Sequence, residues 1–172
     1  MANTTFSGPV RSLNGFISFG PKAVISLTAT ATLTVAAHAG RIITTNLADG
    51  KFLLPSITSG SSSAVAGAND YNVASNLGCT YLFWVETLAT DMDIYTDGTD
   101  KFVGAVYTGI DSEETGETFL AAAANDVITL NGGTTGGIAG SWVEVTAIAS
   151  AKYFVKGGLI GTATLATPFA NA

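Results

Sequence analysis

Apolar side chains recur along this chain in short runs, most of them alternating with polar ones, between Gly, Asn, Asp and Pro. Leu33 and Val35 fall on one face of such a run, with Thr32 and Thr34 on the other. Val143, Val145 and Ala147 alternate with Trp142, Glu144 and Thr146. A period of two is the signature of a strand with one face in a core, and it fits antiparallel sheets. The runs predict strands at Gly15–Phe19, Ala23–Leu27, Ala31–Val35, Arg41–Thr45, Phe52–Leu54 and Tyr81–Glu86. Further strands are predicted at Asp93–Thr96, Phe102–Tyr107, Val127–Leu130, Trp142–Ile148 and Lys152–Lys156. The last two form a pair joined by a tight turn and ended by Gly157-Gly158. No window sustains a 3.6-residue stripe, and Ala121–Ala124 suits one helical turn at most. Many short strands without intervening helices predict an all-β sandwich or barrel.

The punctuation has its own mechanism. Asp97-Gly98 and Asn131-Gly132 are turn dipeptides because both residue types tolerate positive φ. Small and polar residues mark loops at 58–70, 109–117 and 131–137. The first 22 residues carry isolated apolar anchors in a polar, turn-rich background and predict an extended arm. Residues 163–172 predict a similar tail anchored by Leu165 and Phe169, leaving 23–162 as the sandwich domain.

Composition changes the picture in one respect. Hydrophobic residues make up 47% and charged residues only 12%, half the roughly 25% of an ordinary soluble domain. A surface of Thr, Ser, Asn and Gly hydrates weakly and suits being covered by neighbours. The net charge of −6 argues against nucleic acid as a partner, because phosphate binding needs clustered Lys and Arg. Ten carboxylates lie between Glu86 and Asp126, whereas four of the seven cations lie within the first 51 residues. That split either lets the basic end meet an acidic partner or reflects an acidic loop. No apolar run approaches the ~18 residues of a membrane helix, so no membrane is expected. The start of the chain lacks the features of a secretory signal, which predicts a soluble cytoplasmic product.

Candidate chemistry is sparse. His38 has no adjacent nucleophile signature, and lone Cys79 before an apolar run reads as a small buried hydrophobe. Asp91 and Asp93 are predicted on one sheet face with Asp97 nearby, where two or three oxygens could approach a Ca²⁺. The calcium-loop spacing is absent, and solvated turn acids are the simpler reading. A glycosidase needs a carboxylate pair at a fixed gap in an aromatic groove, and the sequence supplies neither. We therefore expect no enzyme, no cofactor and no catalytic or metal-binding residues.

The opening Met1-Ala-Asn-Thr-Thr-Phe-Ser-Gly-Pro-Val-Arg-Ser-Leu-Asn-Gly-Phe16 resembles the N-termini of small virion proteins of tailed phages, particularly of aquatic and cyanobacterial hosts. A Thr-rich strand (29–35), a Gly-Arg-Ile-Ile strand (40–43), Leu54-Pro55, Tyr81-Leu-Phe-Trp-Val85, Gly140-Ser-Trp-Val-Glu-Val-Thr146 and Lys152-Tyr-Phe-Val-Lys156 follow. That order is similar to capsid decoration and head-fibre domains, although Ser141 stands where related domains often carry an acid. The resemblance implies a jelly-roll-like sandwich that trimerises on the outer capsid surface and stiffens the shell. The partners implied are the major capsid protein and two further copies of the chain. Phe6, Pro9, Val10, Arg11, Leu13 and Phe16 would contact the shell, with Arg11 facing a carboxylate. Trp84, Trp142, Tyr153 and Phe154 would serve the core or the trimer contact. A head- or tail-fibre domain binding host glycans is the alternative, and it would call for aromatic residues at loop tips. A tail-tube or adaptor subunit would want a long amphipathic helix or a large hairpin.

Overall fold

A computed structural model describes residues 23–58, 76–110, 115–162 and 164–172. The predicted strand Gly15–Phe19 and the N-terminal arm lie outside these residues. Two β-sheets pack face to face as an all-β sandwich. In chain order the strands are β1 (Val24–Leu27), β2 (Ala31–Thr32), β3 (Arg41–Thr45), β4 (Lys51–Leu53), β5 (Thr80–Val85) and β6 (Met92–Tyr95). They continue as β7 (Lys101–Ile110), β8 (Gly116–Leu120), β9 (Val127–Leu130), β10 (Trp142–Ala149), β11 (Lys152–Gly161) and β12 (Phe169–Ala170). One helical turn, α1 (Val35–His38), follows β2.

The strand order is β1-β3-β5-β10-β11-β7-β8 in the larger sheet and β12-β9-β6-β4-β2 in the smaller. From β1 to β6 the chain alternates between the sheets, so each layer receives every second strand. Strands laid down by such a winding run in the same direction, and β1, β3 and β5 are mutually parallel, as are β2, β4 and β6. β7 and β11 are also parallel, over ten paired residues. The antiparallel sandwich expected from the alternation is therefore corrected to a mixed one. Alternation reports which face is buried but not strand direction; the antiparallel pairs are those of β10 with β5 and β11, β7 with β8, and β9 with β6 and β12. A purely antiparallel jelly-roll ladder is not what these pairings form.

The core fills the space between the inner faces. Phe52 of the small sheet meets Phe83 of the large one with ring centroids 5.9 Å apart, and Phe102 meets Tyr153 at 6.5 Å. Ile43, Tyr81, Ile94, Ile128, Leu130, Val145 and Val155 are fully buried around them. Each buried side chain of this size contributes roughly 1.5–3 kcal/mol.

Three further expectations are revised. Val35 does not share the buried face of Leu33: Thr34 caps α1 by accepting a hydrogen bond from the Ala37 N–H, which turns the chain and leaves Val35 exposed. Gly157-Gly158 does not end its strand, because β11 runs on to Gly161 alongside β7. The C-terminal tail belongs to the sandwich: Phe169 is a core residue and β12 pairs with β9. The sequence reading missed β8 because it is an exposed edge strand, where only pairing with β7 maintains the extended form.

One end of the sandwich is stapled by polar groups. The Ile57 N–H donates to Asp100 (2.7 Å), the Ser56 hydroxyl to Asp97 (2.6 Å) and the Tyr153 hydroxyl to the Pro55 carbonyl (2.6 Å). Asn76 joins them by accepting from the Thr58 N–H and donating to the Ser56 carbonyl.

Candidate interaction surface

The outer face of the seven-stranded sheet follows from alternation and register. Its first cross-strand row is Ser26, Thr44, Trp84, Trp142, Gly158, Tyr107 and Thr118. The second is Val24, Ile42, Leu82, Glu144, Lys156, Ala105 and Leu120. A third holds Thr80, Thr146, Phe154 and Val103. Among the described residues ten large apolar side chains are exposed, and six of them (Val24, Ile42, Trp84, Tyr107, Leu120 and Phe154) stand in these rows. None lies on the strands of the five-stranded sheet, so the apolar exposure is concentrated on one side.

Glycines make room for the aromatic rings of this face. A Cβ at Gly158 would lie 2.8 Å from Trp142 Nε1 and 3.3 Å from Cε2, so the indole lies across the bare backbone of β11. A Cβ at Gly116 would meet the Tyr107 ring in the same way. Glycine at these two positions lets each ring lie against backbone.

Charge on the face is small and is matched at its centre. Lys156 Nζ lies 2.9 Å from Glu144 Oε1. Lys101, at the start of β7, directs its ammonium to Asp126 Oδ2 (2.5 Å). Lys152 stands at one end. An open cleft of about 280 Å³ near the β1 edge is lined by Ala23, Gly40, Arg41, Ile42, Thr80, Leu82 and Glu144.

The predicted aromatic set separates by face. Trp84 and Phe154 point outward and are exposed, Trp142 is half-buried on the same face, and Tyr153 points inward and is fully buried. Alternation across adjacent positions 153 and 154 already implied that they serve different layers. Ile42, Leu82, Tyr107 and Leu120 belong to the same surface, and no local motif marks them. Only the register of seven strands brings them together. Phe6, Pro9, Val10, Arg11, Leu13 and Phe16 lie outside the described residues.

The acidic positions perform structural work. Asp93 takes Lys51 Nζ at 2.6 Å and the Thr129 hydroxyl at 2.8 Å, and Asp91 reaches the same ammonium at 3.4 Å. The Asp93 hydrogen bond raises the Lys51 pKa. Asp97 does not join them: its carboxylate lies at the Ser56 staple, whose hydrogen bond lowers its pKa. Burial raises the pKa of Asp100. Burial also works against the Asp126 carboxylate, but hydrogen bonds from Lys101 and the Ala172 N–H hold its pKa below the ordinary value. Burial pushes the Tyr81 hydroxyl up to about 12, and this hydroxyl has no hydrogen-bond partner. His38 Nδ1 accepts from the Thr34 N–H at the end of α1, and Cys79 packs partly buried against the core. Among the described residues no three His, Cys, Asp or Glu side chains converge as a metal site.

A second open cleft, of about 420 Å³, lies on the outer face of the five-stranded sheet between Lys51, Asp93, Tyr95, Thr129 and the segment Ala170–Ala172. Neither a protein-family model, nor a curated protein, nor a solved structure matches this chain.

Proposed function

We propose that this chain is a virion structural protein, a capsid decoration (cement) protein that binds the outer surface of the major capsid protein shell and stabilises it as a homotrimer. The observation that carries the reading is the apolar, weakly charged outer face of the seven-stranded sheet. Exposed large apolar side chains gathered on one face are the kind of surface that protein–protein contact covers. The assignment to a phage capsid rests on the resemblance of the N-terminus and of the strand order. In this reading the chain is made in the host cytoplasm and Phe6, Pro9, Val10, Arg11, Leu13 and Phe16 contact the shell. Weak contacts of this kind gain strength by repetition over the lattice.

Co-sedimentation with expanded phage shells tests the reading. Saturable occupancy and a higher shell disruption temperature are expected. Substituting Phe6 and Phe16 by Ala should lower occupancy while leaving the domain folded. Absence of occupancy at saturating protein refutes the cement role, and unfolding of the variant places the segment in the core instead. The cleft beside Tyr95 favours a second reading, a fibre domain binding host glycans, because it sets an aromatic ring next to an amine and a carboxylate. Glycan binding that disappears with Tyr95→Ala would replace the first reading with this one.

A further inference from the structure

We infer that the outer face of the seven-stranded sheet is where a second copy of this chain docks. The inference deepens the self-associating reading above and assigns its contact surface, but it does not require the shell.

Three observations select a second copy as the occupant. The first is extent. Strands about 4.8 Å apart make a seven-stranded sheet roughly 30 Å wide. The three longest strands, β10, β11 and β7, have eight to ten residues, or roughly 26–33 Å at about 3.3 Å per residue. Their product, on the order of 800 Å², is the area each partner contributes to a stable protein–protein interface.

The second is the distribution of charge. Two copies with a net charge of −6 repel wherever carboxylates face each other. On this face Glu144 is the only carboxylate in the three rows, and Lys156 neutralises it. The five-stranded sheet instead sets two carboxylates, Asp93 and Asp91, around the single ammonium of Lys51, which leaves one negative charge unmatched in that cluster. Copies can thus approach through the larger sheet without stacking like charges, and the central Glu144–Lys156 pair can exchange partners between them.

The third is the placement of the aromatics. Trp84 and Trp142 are cross-strand neighbours on β5 and β10, next to the middle of the sheet, and Phe154 is on adjacent β11. Large aromatics near the centre of a patch, with Val24 and Leu120 toward its edges, follow the pattern of interface hot spots.

The test uses the fact that both tryptophans of the chain lie on this face. Light scattering and tryptophan emission are followed together as the full-length protein is diluted from about 100 µM to about 10 nM, a range that spans ordinary interface affinities. The expected result is a mass of at least two chains at high concentration. On dilution the mass should fall to one chain while the emission shifts to the red over the same range. The double variant Ile42→Lys/Phe154→Lys, which keeps both tryptophans, should weaken association at least 100-fold. Leu88→Lys, a still more exposed apolar position off this face, should leave it unchanged. Circular dichroism verifies that both variants are folded, and the wild-type dilution stands without them. A wild-type monomer at 100 µM overturns the inference, whether its emission is red or is blue and independent of concentration. The latter would mean that the chain's own residues cover the face. An oligomer whose emission is unchanged on dissociation overturns it as well. Self-association without shell occupancy refutes only the capsid reading, whereas shell occupancy by a monomer refutes this inference and the trimer but leaves the cement role standing.

Discussion

Gly158 gives the sharpest test of how the outer face is built. Its φ lies outside the left-handed region, so alanine is compatible with the backbone and the consequence of Gly158→Ala comes from space alone. The new Cβ would stand 2.8 Å from Trp142 Nε1, about 0.6 Å inside ordinary contact. The strand beneath is fixed by pairing on both sides, with β10 and β7, so the indole has to lift or rotate. Lifting forfeits contact over one ring face, roughly 60 Å² or about 1.5 kcal/mol. Leaving its rotamer minimum costs about 0.5–1.5 kcal/mol. Replacing glycine within a strand returns about 0.5–1 kcal/mol. The net expectation is a loss of about 1–2.5 kcal/mol, which lowers Tm by roughly 2–10 °C for a chain of this size.

The assay is urea unfolding in a double-mutant cycle with Trp142→Ala. Without the indole, Gly158→Ala should become neutral or stabilising, a coupling of about 2 kcal/mol. Gly157→Ala is the control: its Cβ would meet the Trp142 carbonyl oxygen at 2.7 Å, a backbone atom that both backgrounds retain. It should be destabilising in both. If Gly158→Ala costs the same with and without the indole, the ring is not what requires glycine there and the account of the face is wrong.

The other expectations concern charge and backbone. Asp126 has a folded pKa below its unfolded value of about 3.9, so its contribution is present above that pH and is lost as pH falls through the folded value. Asp126→Asn should therefore cost about 1–3 kcal/mol at pH 7 and progressively less below pH 4, read by urea unfolding across pH. Asp100 behaves oppositely, because burial raises its pKa. Its favourable contribution is present below about pH 3.9 and is lost as pH rises through the folded value. Asp100→Asn keeps an acceptor for the Ile57 N–H and should be neutral or stabilising at pH 7, with the gain disappearing in acid; a loss at pH 7 would refute the burial argument. Ala151, at the β10–β11 turn, has φ +56°. Ala151→Gly should gain up to about 1 kcal/mol in thermal unfolding, since alanine is strained there and glycine is not.

The sequence by itself determined most of the segments that extend, and in β10 which side chains are buried. Alternation from Trp142 to Ala147 set the inner and outer residues of β10, and the Gly of Asp97-Gly98 and of Asn131-Gly132 adopts positive φ as its turn requires. These are local properties, set by a period of two and by the absence of a Cβ. Strand direction and neighbours were decided only by the tertiary structure. β10 lies between β5 and β11, and β11 runs parallel to β7 with paired residues 51 positions apart, because the β10–β11 hairpin sits between strands laid down earlier in the chain. The candidate surface belongs to that second kind of information. Ile42, Trp84, Tyr107, Leu120 and Phe154 are ordinary strand residues when taken singly. They become one apolar face only through hydrogen-bond register across seven strands, a relation between distant segments that no local pattern encodes.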